Sequence, residues 1–384
     1  MSKIPTLRFK EFNGDWKENK FENIFNFSTG KNIKQNEASP EFEIPCVRYG
    51  ELYHMYNEII SNVINSTNLD KSELVFSQGN EILLPSAGED PLDIGSASAL
   101  TIPNIAIGRT INILRPLSDN VYSQKYVSYY INQKLRRTIS TLAKGSSISN
   151  VYNSDLKKLN IFLPSLIEQE KIASFLNQVD TKIEQLTKKE KLLQQYKKGV
   201  MQKIFNQEIR FVSDDGSEFC EWEEKRLKEV LDYEQPTKYI VESTEYNGNY
   251  NTPVLTAGKT FILGYTNEEN GIYTNSPVII FDDFTTANHY VDFDFKVKSS
   301  AMKLLKEKNE NICLKFVYEF IQKLHFPIGE HKRYWISEYS YLKIKLPCLE
   351  EQNKIANFLS SIDTKIEQTQ KQLEKTKEFK KALL

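Results

Sequence analysis

The sequence predicts an α+β chain in which two mostly-β domains alternate with two long helices, so that the chain is a pseudo-twofold internal repeat. Two observations predict this fold class: a helical segment that occurs twice, and a strand-forming composition between the copies. FLNQVDTKIEQ at residues 175–185 returns as FLSSIDTKIEQ at residues 358–368, 183 positions later. The expected domains and helical segments, in chain order, are residues 1–155, 156–207, 208–340 and 341–384.

The repeated segment is longer than those eleven residues. LPSLIEQEKIASFLNQVDTKIEQ begins at Leu163 and LPCLEEQNKIANFLSSIDTKIEQ begins at Leu346, and 16 of their 23 aligned positions are identical. The alignment continues without a gap to YKKGVM at residues 196–201 and FKKALL at residues 379–384. A repeat of this length and identity indicates an internal duplication.

Each copy has the pattern of a long amphipathic helix, because apolar residues recur at spacings of three and four. This spacing is the seam of a coiled coil, and we expect the two helices to pack on each other. The alternative is that each apolar stripe covers its own domain. Ser165 and Glu168 form a capping box after Pro164, so the first helix is predicted to begin there. The seam residues are Ile172, Leu176, Val179, Ile183, Leu186, Ile355, Leu359, Ile362, Ile366 and Leu373.

The segments outside the helices repeat only in outline. DWKENKFENIF at residues 15–25 aligns with EWEEKRLKEVL at residues 221–231, and an Arg-Phe pair precedes each of them. Between such landmarks the two segments differ, but both are rich in β-branched and aromatic residues broken by Gly, Pro and Asn, which predicts short strands and turns. Similar helices joined to different domains favour a two-headed adaptor over an enzyme.

Composition narrows the class of protein. A chain of 384 residues exceeds one ordinary domain, and it contains no apolar run of the roughly 18 residues that span a membrane. The four cysteines are far apart, which argues against a zinc site or a disulfide framework, and we expect a reduced, cytoplasmic protein. The net charge of −1 gives no support to nucleic-acid binding, so any contact with DNA must use local basic patches or partners.

Motifs for catalysis are missing from the sequence. It contains neither GxGxxG nor GxxxxGK[ST], and its four histidines form no HxH or HxxxH pair. Asp282 and Asp283 could suggest a metal site, but we favour a solvated turn after the strand SPVIIF. The sequence therefore predicts a non-catalytic chain whose catalytic activity, if any, belongs to partners.

The order of variable domain, LPxLxEQxKIAxFLxxxDxKIEQ helix, variable domain and the same helix resembles the specificity subunit of type I restriction-modification enzymes. The resemblance covers nearly the whole chain, and its motifs are specific because they occur twice in this order. It implies that each variable domain is a target recognition domain that reads one half of a split, asymmetric DNA sequence. It also implies that the two helices form an antiparallel coiled coil that spaces the halves, which a pseudo-twofold protein would place about one helical turn, roughly 34 Å, apart.

The resemblance further implies the partners. They are double-stranded DNA, two methyltransferase (modification) subunits and restriction/translocase subunits, with no membrane. This chain would bind no cofactor, and S-adenosylmethionine, ATP and Mg²⁺ would bind to the partner subunits. The alternative function is a coiled-coil scaffold whose two β domains bind a carbohydrate or a peptide. The first copy continues through QKIF past the point aligned with Leu384, so we expect the second helix to end slightly early.

Polar and basic residues on loops are the candidate DNA contacts, since bases are read by Arg, Lys, Asn, Gln, Ser or Thr and phosphates by basic groups or backbone amides. In the first domain, VRYGEL offers Arg48 and Tyr49, although Arg48 could instead pair with Glu51 inside the domain. Arg109 in GRT is interpreted as structural. The loop KGSSISN, which in the resembled family faces DNA, offers Lys144, Ser146, Ser147 and Asn150.

In the second domain the corresponding loop is GEHKRYW, a basic and aromatic cluster within a segment, residues 206–340, that has 15 basic and 23 acidic residues. Solubility does not explain this clustering, so the loop is our first choice for DNA contact. TAGKT is a second choice, although a plain hairpin turn accounts for it equally well, and Asn288 and His289 are a weaker one. The candidate residues are His331, Lys332, Arg333, Tyr334, Lys259 and Thr260.

Overall fold

The structure, a computed structural model, describes residues 7–145, 147–258, 260–324, 326–327 and 332–383. The predicted contacts Ser146, Lys259 and His331 lie outside the described residues. The chain divides into two compact units. Unit 1 consists of residues 1–185 and 373–384, and unit 2 of residues 186–372. Each unit therefore contains one β-rich domain and part of both long helices.

Unit 1 is built mainly of short strands. They are β1 Lys17–Lys20, β2 Phe25–Thr29, β3 Ile44–Val47, β4 Ile59–Ile60, β5 Asn65–Thr67, β6 Phe76–Gln78, β7 Glu81–Pro85, β8 Ala87–Gly88, β9 Ser98–Leu100, β10 Pro103–Ile107, β11 Ile111–Pro116, β12 Ser149–Asn150 and β13 Asn160–Leu163. Its helices are α1 Glu51–His54, α2 Pro91–Ile94, α3 Gln124–Tyr130, α4 Arg136–Leu142, α5 Asn153–Leu156 and the long α6 Leu166–Phe205, which continues into unit 2.

Two sheets form the centre of unit 1. One has the strand order β2-β11-β7-β9-β4 and the other β5-β3-β10-β6, and in the second sheet β3 and β10 run parallel. Along β7, Ile82 and Leu84 face a core shared with α3, whereas Leu83 faces a core shared with Val47 and Ile107 of the other sheet. Since successive side chains of a strand point to opposite faces, the buried run EILLP supplies both cores.

Unit 2 repeats this plan with fewer strands. They are β14 Glu223–Arg226, β15 Leu231–Glu234, β16 Thr252–Leu255, β17 Ile262–Thr266, β18 Val278–Asp282, β19 Asn288–Val291, β20 Lys296–Val297, β21 Met302–Glu307 and β22 Lys343–Leu346. Its helices are α7 Leu227–Val230, α8 Leu314–Lys323, α9 Tyr334–Ser337 and the long α10 Leu349–Leu383, which ends in unit 1. The sheets have the orders β15-β21-β18-β19 and β17-β16-β20, and β16 and β20 run parallel, as β3 and β10 do.

The long helices α6 and α10 pack together and run antiparallel. In unit 1, Asp180 of α6 binds Lys380 of α10; in unit 2, Glu190 binds Gln370. A step of ten residues forward along α6 is thus matched by ten residues backward along α10. This confirms the predicted antiparallel coiled coil.

The seam residues of the two long helices pack both on the other helix and on the β-rich domains. Leu176, Val179, Leu186 and Leu373 are buried, and the seam residues at the start of α10 are buried as well. However, Ile355, Leu359 and Ile362 belong to the core of the β-rich domain of unit 2, with Ile366 packed against it, and Ile172 packs on the core of unit 1. The first turns of each helix therefore cover their own domain, as the alternative interpretation held, while the helices also pack on each other.

Candidate nucleic-acid interface

The start of α6 is tied to the N-terminal RF segment through one buried carboxylate. Arg8 donates from Nε and Nη2 to the two oxygens of Glu168, at 2.6 and 2.7 Å, and the indole of Trp16 donates to the same group at 3.4 Å. The hydrogen bond to Glu168 raises the pKa of the Arg8 guanidinium. The backbone N–H of Glu168 donates to Ser165 Oγ at 3.4 Å. The Glu168 carboxylate does not return to the cap as a capping box requires, because Arg8 and Trp16 hold it.

The start of α10 has the same junction. Arg210 Nη2 and the indole of Trp222 donate to Glu351 at 3.0 and 2.9 Å, and the amide oxygen of Gln352 accepts from the backbone N–H of Cys313 at 2.8 Å. The repeated Glu-Gln pair, together with the repeated Arg and Trp, thus joins each helix to its own domain. Part of the repeated helix sequence therefore serves internal packing and not a surface for partners.

In unit 1, a chain of backbone hydrogen bonds brings several loops to one edge of the sheets. Gly108 N–H donates to Val47 O at 2.9 Å, which aligns the carboxyl ends of the parallel strands β3 and β10. Ser86 N–H donates to Thr110 O at 2.8 Å, and Val151 N–H donates to Ser86 O at 2.9 Å. We call this surface edge 1, and it comprises residues 30–33, 48–50, 86–88, 108–110 and 144–151 without residue 146.

Edge 1 contains all the described residues that the sequence predicted as DNA contacts in the first domain. Arg48 and Tyr49 follow β3, and Tyr49 is 39% exposed. Arg48 does pair with Glu51, its Nε donating to Oε1 at 2.8 Å, as the alternative interpretation held. Arg48 and Tyr49 nevertheless lie at the edge, where a ligand could reach them.

The loop that closes the first domain lies on the same edge. Lys144 and Asn150 exchange backbone hydrogen bonds of 3.0 and 2.9 Å, and Ser147 is exposed between them. The Lys144 ammonium binds Asp155 at 3.0 Å, and this hydrogen bond lowers the pKa of the Asp155 carboxyl. Because its side chain is 67% exposed, Lys144 remains open to an anionic ligand.

Edge 1 also contains two basic residues that sequence reasoning did not select. Lys31 and Arg109 are exposed, and the backbone of Arg109 is bound to that of Asn32 at 2.9 Å. The backbone here is strained, since Asn32, Ile33 and Thr110 all have positive φ, and φ is 55° at the buried Ile33. A β-branched residue in this region is a true outlier, and such strain concentrates at functional sites. The signal in the sequence was a glycine followed by a basic residue after each of two strand-like runs, FNFST and PNIAI.

Unit 2 has an equivalent edge. Lys298 N–H donates to Leu255 O at 3.0 Å, which aligns the carboxyl ends of β16 and β20. Asp283 N–H donates to Ala301 O at 3.0 Å, and Asp283 O accepts from Tyr334 N–H at 2.7 Å. These bonds correspond one for one to those of edge 1. We call this surface edge 2, and it comprises residues 256–258, 260, 282–283, 298–301 and 332–335.

Edge 2 contains the candidates Thr260, Lys332, Arg333 and Tyr334, whereas the weaker candidates Asn288 and His289 lie on β19, outside this edge. Thr260 is exposed and lies in a hairpin turn, where its carbonyl accepts from Thr256 Oγ1 at 2.8 Å. Lys332 and Arg333 are exposed at the start of α9, and Lys332 forms an ion pair with Glu338. Tyr334 differs from these residues, because it is 1% exposed and its ring packs on Phe326. Its side chain is a core residue and does not lie at the surface of edge 2.

The two aspartates after β18 have different environments. Asp282 Oδ1 accepts from the backbone N–H groups of Phe284 and Thr285, both at 2.8 Å, which is the predicted turn. Asp283 is not solvated but 1% exposed; it accepts from Trp335 N–H at 2.8 Å and lies 3.4 Å from the buried Lys303 ammonium. Asp283 thus anchors the segment that carries Lys332 and Arg333. Among the described residues, no group of three or more His, Cys, Asp and Glu could hold a metal ion.

Comparison with known proteins identifies the class. The family model described as the type I restriction modification DNA specificity domain matches residues 13–194 and 220–377, which is most of the chain. The chain therefore belongs to the type I restriction-modification DNA specificity family. In the described part of the chain, no helix has the length and apolar character needed to cross a membrane.

Particular relatives agree with this family. The specificity subunit of the Escherichia coli type I restriction enzyme EcoR124I/EcoR124II is 55% identical over 141 residues, which cover 35% of each chain. A putative type I restriction enzyme MjaX specificity subunit of Methanocaldococcus jannaschii is 29% identical over 299 residues, covering 72% of this chain and 70% of that one. The crystal structure of a type I restriction-modification S subunit from M. genitalium has the same fold, with a TM-score of 0.70, 18% identity and coverage of 99% and 97%.

Proposed function

We propose that this chain is the DNA-specificity subunit of a type I restriction-modification complex, and that edge 1 and edge 2 each read one half of a split, asymmetric double-stranded DNA target. The observation that carries the proposal is that the two units present topologically equivalent edges with different side chains. Where edge 1 has Arg48 after its first parallel strand, edge 2 has Thr256. Equivalent edges suit two half-sites, and different side chains suit two different half-sequences.

The residues of the edges fit the two kinds of contact that DNA requires. Exposed cations such as Lys31 and Arg109 suit phosphate oxygens, which fix the protein on the duplex without reading it. Side chains held by the domain, such as Arg48, suit the edges of bases in the major groove. The low net charge of the chain is no obstacle, because edge 1 contains four basic residues and no acidic one.

The partners follow from the family. Two methyltransferase subunits and restriction/translocase subunits would assemble on this chain in the cytoplasm, with S-adenosylmethionine, ATP and Mg²⁺ bound by those subunits. The antiparallel coiled coil would hold the two recognition domains at a set spacing, so that its length determines the number of unread base pairs between the half-sites. The chain itself would recognise DNA and would not catalyse a reaction.

The test is to co-express the chain with its methyltransferase subunit and to map methylated bases in the host DNA. A split, asymmetric methylated motif that disappears when this chain is deleted is the expected result. Unchanged methylation, together with no stable complex and no DNA binding at low salt, would overturn the proposal and favour a scaffold whose β domains bind another ligand. Because phosphate contacts dominate affinity, binding has to be measured over a range of salt concentrations.

A further inference from the structure

The starting observation is the way in which Glu51 holds Arg48. Glu51 is 2% exposed at the start of α1. Its Oε1 accepts from Arg48 Nε and from Asn65 Nδ2, both at 2.8 Å, and its Oε2 accepts from the Arg48 backbone N–H at 3.1 Å. The carboxylate is thus fixed by the domain, and it in turn fixes the backbone and the side chain of Arg48.

Arg48 differs from the other arginines that bind buried carboxylates in the atoms through which it is bound. Three other arginines also bind buried carboxylates, but each of them donates from its terminal Nη2 as well. Arg8 Nη2 donates to Glu168 and to Gly14 O, and Arg115 Nη2 donates to Phe76 O. Arg210 Nη2 donates to Glu351 and to Cys220 O. Those three guanidinium groups are held within the domain. Arg48 is bound through Nε alone, and no described residue accepts a hydrogen bond from its Nη1 or Nη2.

The position of this free end decides what it can do. The Arg48 side chain is 23% exposed and lies on edge 1, beside the exposed Tyr49 and the carboxyl end of β10. A guanidinium with its Nε fixed presents two parallel N–H groups in a set plane. Two parallel donors match O6 and N7 of guanine in the major groove, which is the commonest specific contact of arginine with DNA.

We propose that Arg48 reads a guanine in the half-site bound by unit 1, and that Glu51 is its positioning residue. This inference rests on the proposed function, and it assigns a base to one residue of edge 1. The side chains of Lys31 and Arg109 form no hydrogen bond or ion pair with another described residue that would hold them in one orientation. We assign them to phosphates on the same edge. A fixed guanidinium discriminates between bases because it loses little side-chain freedom on binding and cannot turn to another acceptor.

The experiment uses the full chain in complex with its methyltransferase subunit and a library of randomised duplex DNA, from which bound sequences are selected and read. The wild-type complex is compared with Arg48→Lys, Glu51→Gln and the matched control Arg109→Ala. Arg48→Lys keeps the charge but loses the fork, so preference for guanine at one position of one half-site should fall about 10- to 100-fold. Glu51→Gln should weaken preference at the same position, and Arg109→Ala should weaken binding to all sequences alike.

The outcomes separate this inference from the proposed function. If the wild-type complex selects a split target and Arg48→Lys keeps every base preference, the assignment of Arg48 is overturned and the proposed function stands. A split target with no guanine in either half has the same meaning. If the wild-type complex selects no split target, both fall. A structural role for Glu51 alone would lower thermal stability without a change at one base, and Arg48→Lys decides the matter if Glu51→Gln does not fold.

Discussion

Lys197 shows how a single charged residue joins the coiled coil to the second domain. Its ammonium lies 2.9 Å from Glu319 of α8 and 2.7 Å from Asp363 of α10. Burial lowers the pKa of Lys197, but the charges of Glu319 and Asp363 outweigh burial and leave the pKa raised. Glu319 is fully buried, so it depends on its cationic neighbours for compensation.

We therefore expect Lys197→Met to lower the free energy of unfolding by about 3 kcal/mol, because removal of one partner leaves a buried charge unpaired. The value lies at the lower end of the usual range since Lys315 still approaches Glu319 at 3.4 Å. Urea denaturation of the full chain measures the change. Lys198→Met is the matched control on the exposed side of the helix, and an equal effect of both substitutions would show that Lys197 has no special role.

Arg333 provides a test of edge 2. It is exposed and precedes α9, so Arg333→Ala should leave folding intact and weaken binding through the half-site of unit 2 by about 5- to 50-fold. Competition between duplexes changed in one half-site or the other measures this effect. If all sequences lose affinity equally, and the salt dependence falls by about one unit, then Arg333 contacts phosphate.

The sequence predicted which loops of the two domains share an edge better than it predicted the burial and partners of their side chains. The loops with Arg48, Lys144 and Arg333 were selected from residue type and from the resemblance to the family, and all three lie on edges built in the same way. Arg109 was interpreted as structural, because its nearness to Arg48 depends on the parallel pairing of β3 and β10, which no local pattern records. Tyr334 was placed at the surface by the charge of its neighbours, whereas the backbone turns its ring into the core.

The long helices are the elements that the sequence describes most fully. Periodicity was sufficient to predict them because one apolar stripe extends along most of each helix. Periodicity could not show which residues of the stripe pack on the other long helix and which pack on the β-rich domain, since both surfaces are apolar. The junctions of Glu168 and Glu351 could not be predicted either, because their partners lie more than 120 residues away in sequence.

Charged substitutions in the seam test whether it holds the two long helices together. Replacement of Ile183 and Ile366 by Asp should destabilise the pairing of α6 and α10 and reduce capture of methyltransferase subunits in a pull-down. The control replaces the adjacent exposed residues Lys182 and Lys365 by Asp, which changes the charge more but leaves the seam intact. If partner capture and the thermal transition both survive the double isoleucine change, the seam does not hold the helices together.

Across the whole molecule, the duplicated residues are complementary to each other. Asp180 and Asp363 are equivalent under the repeat, and so are Lys197 and Lys380. Asp180 binds Lys380 at 2.6 Å in unit 1, and Asp363 binds Lys197 at 2.7 Å in unit 2. Each ion pair therefore joins an aspartate of one copy to a lysine of the other.

It follows that residues 1–207 alone should associate as a symmetric dimer, with Asp180 of one copy bound to Lys197 of the other. Light scattering after size-exclusion chromatography measures the mass. Asp180→Lys should weaken the dimer, and adding Lys197→Asp should restore it, because the swapped charges again face each other. A monomer at all concentrations would show that complementarity requires the two different domains.

The chain enters and leaves each β-rich domain at the same place. In unit 1, β1 pairs with β13, and in unit 2, β14 pairs with β22, so the first and last strands of each domain lie side by side. The segment between the two paired strands therefore leaves and returns to the same place in the fold, and a helix whose sequence is repeated follows it. A gene of this design can take up a foreign segment through exchange at two short stretches of similar DNA. Under the proposed function, such an exchange would change the DNA sequence that the complex recognises, while the partner subunits that assemble on the helices stayed the same.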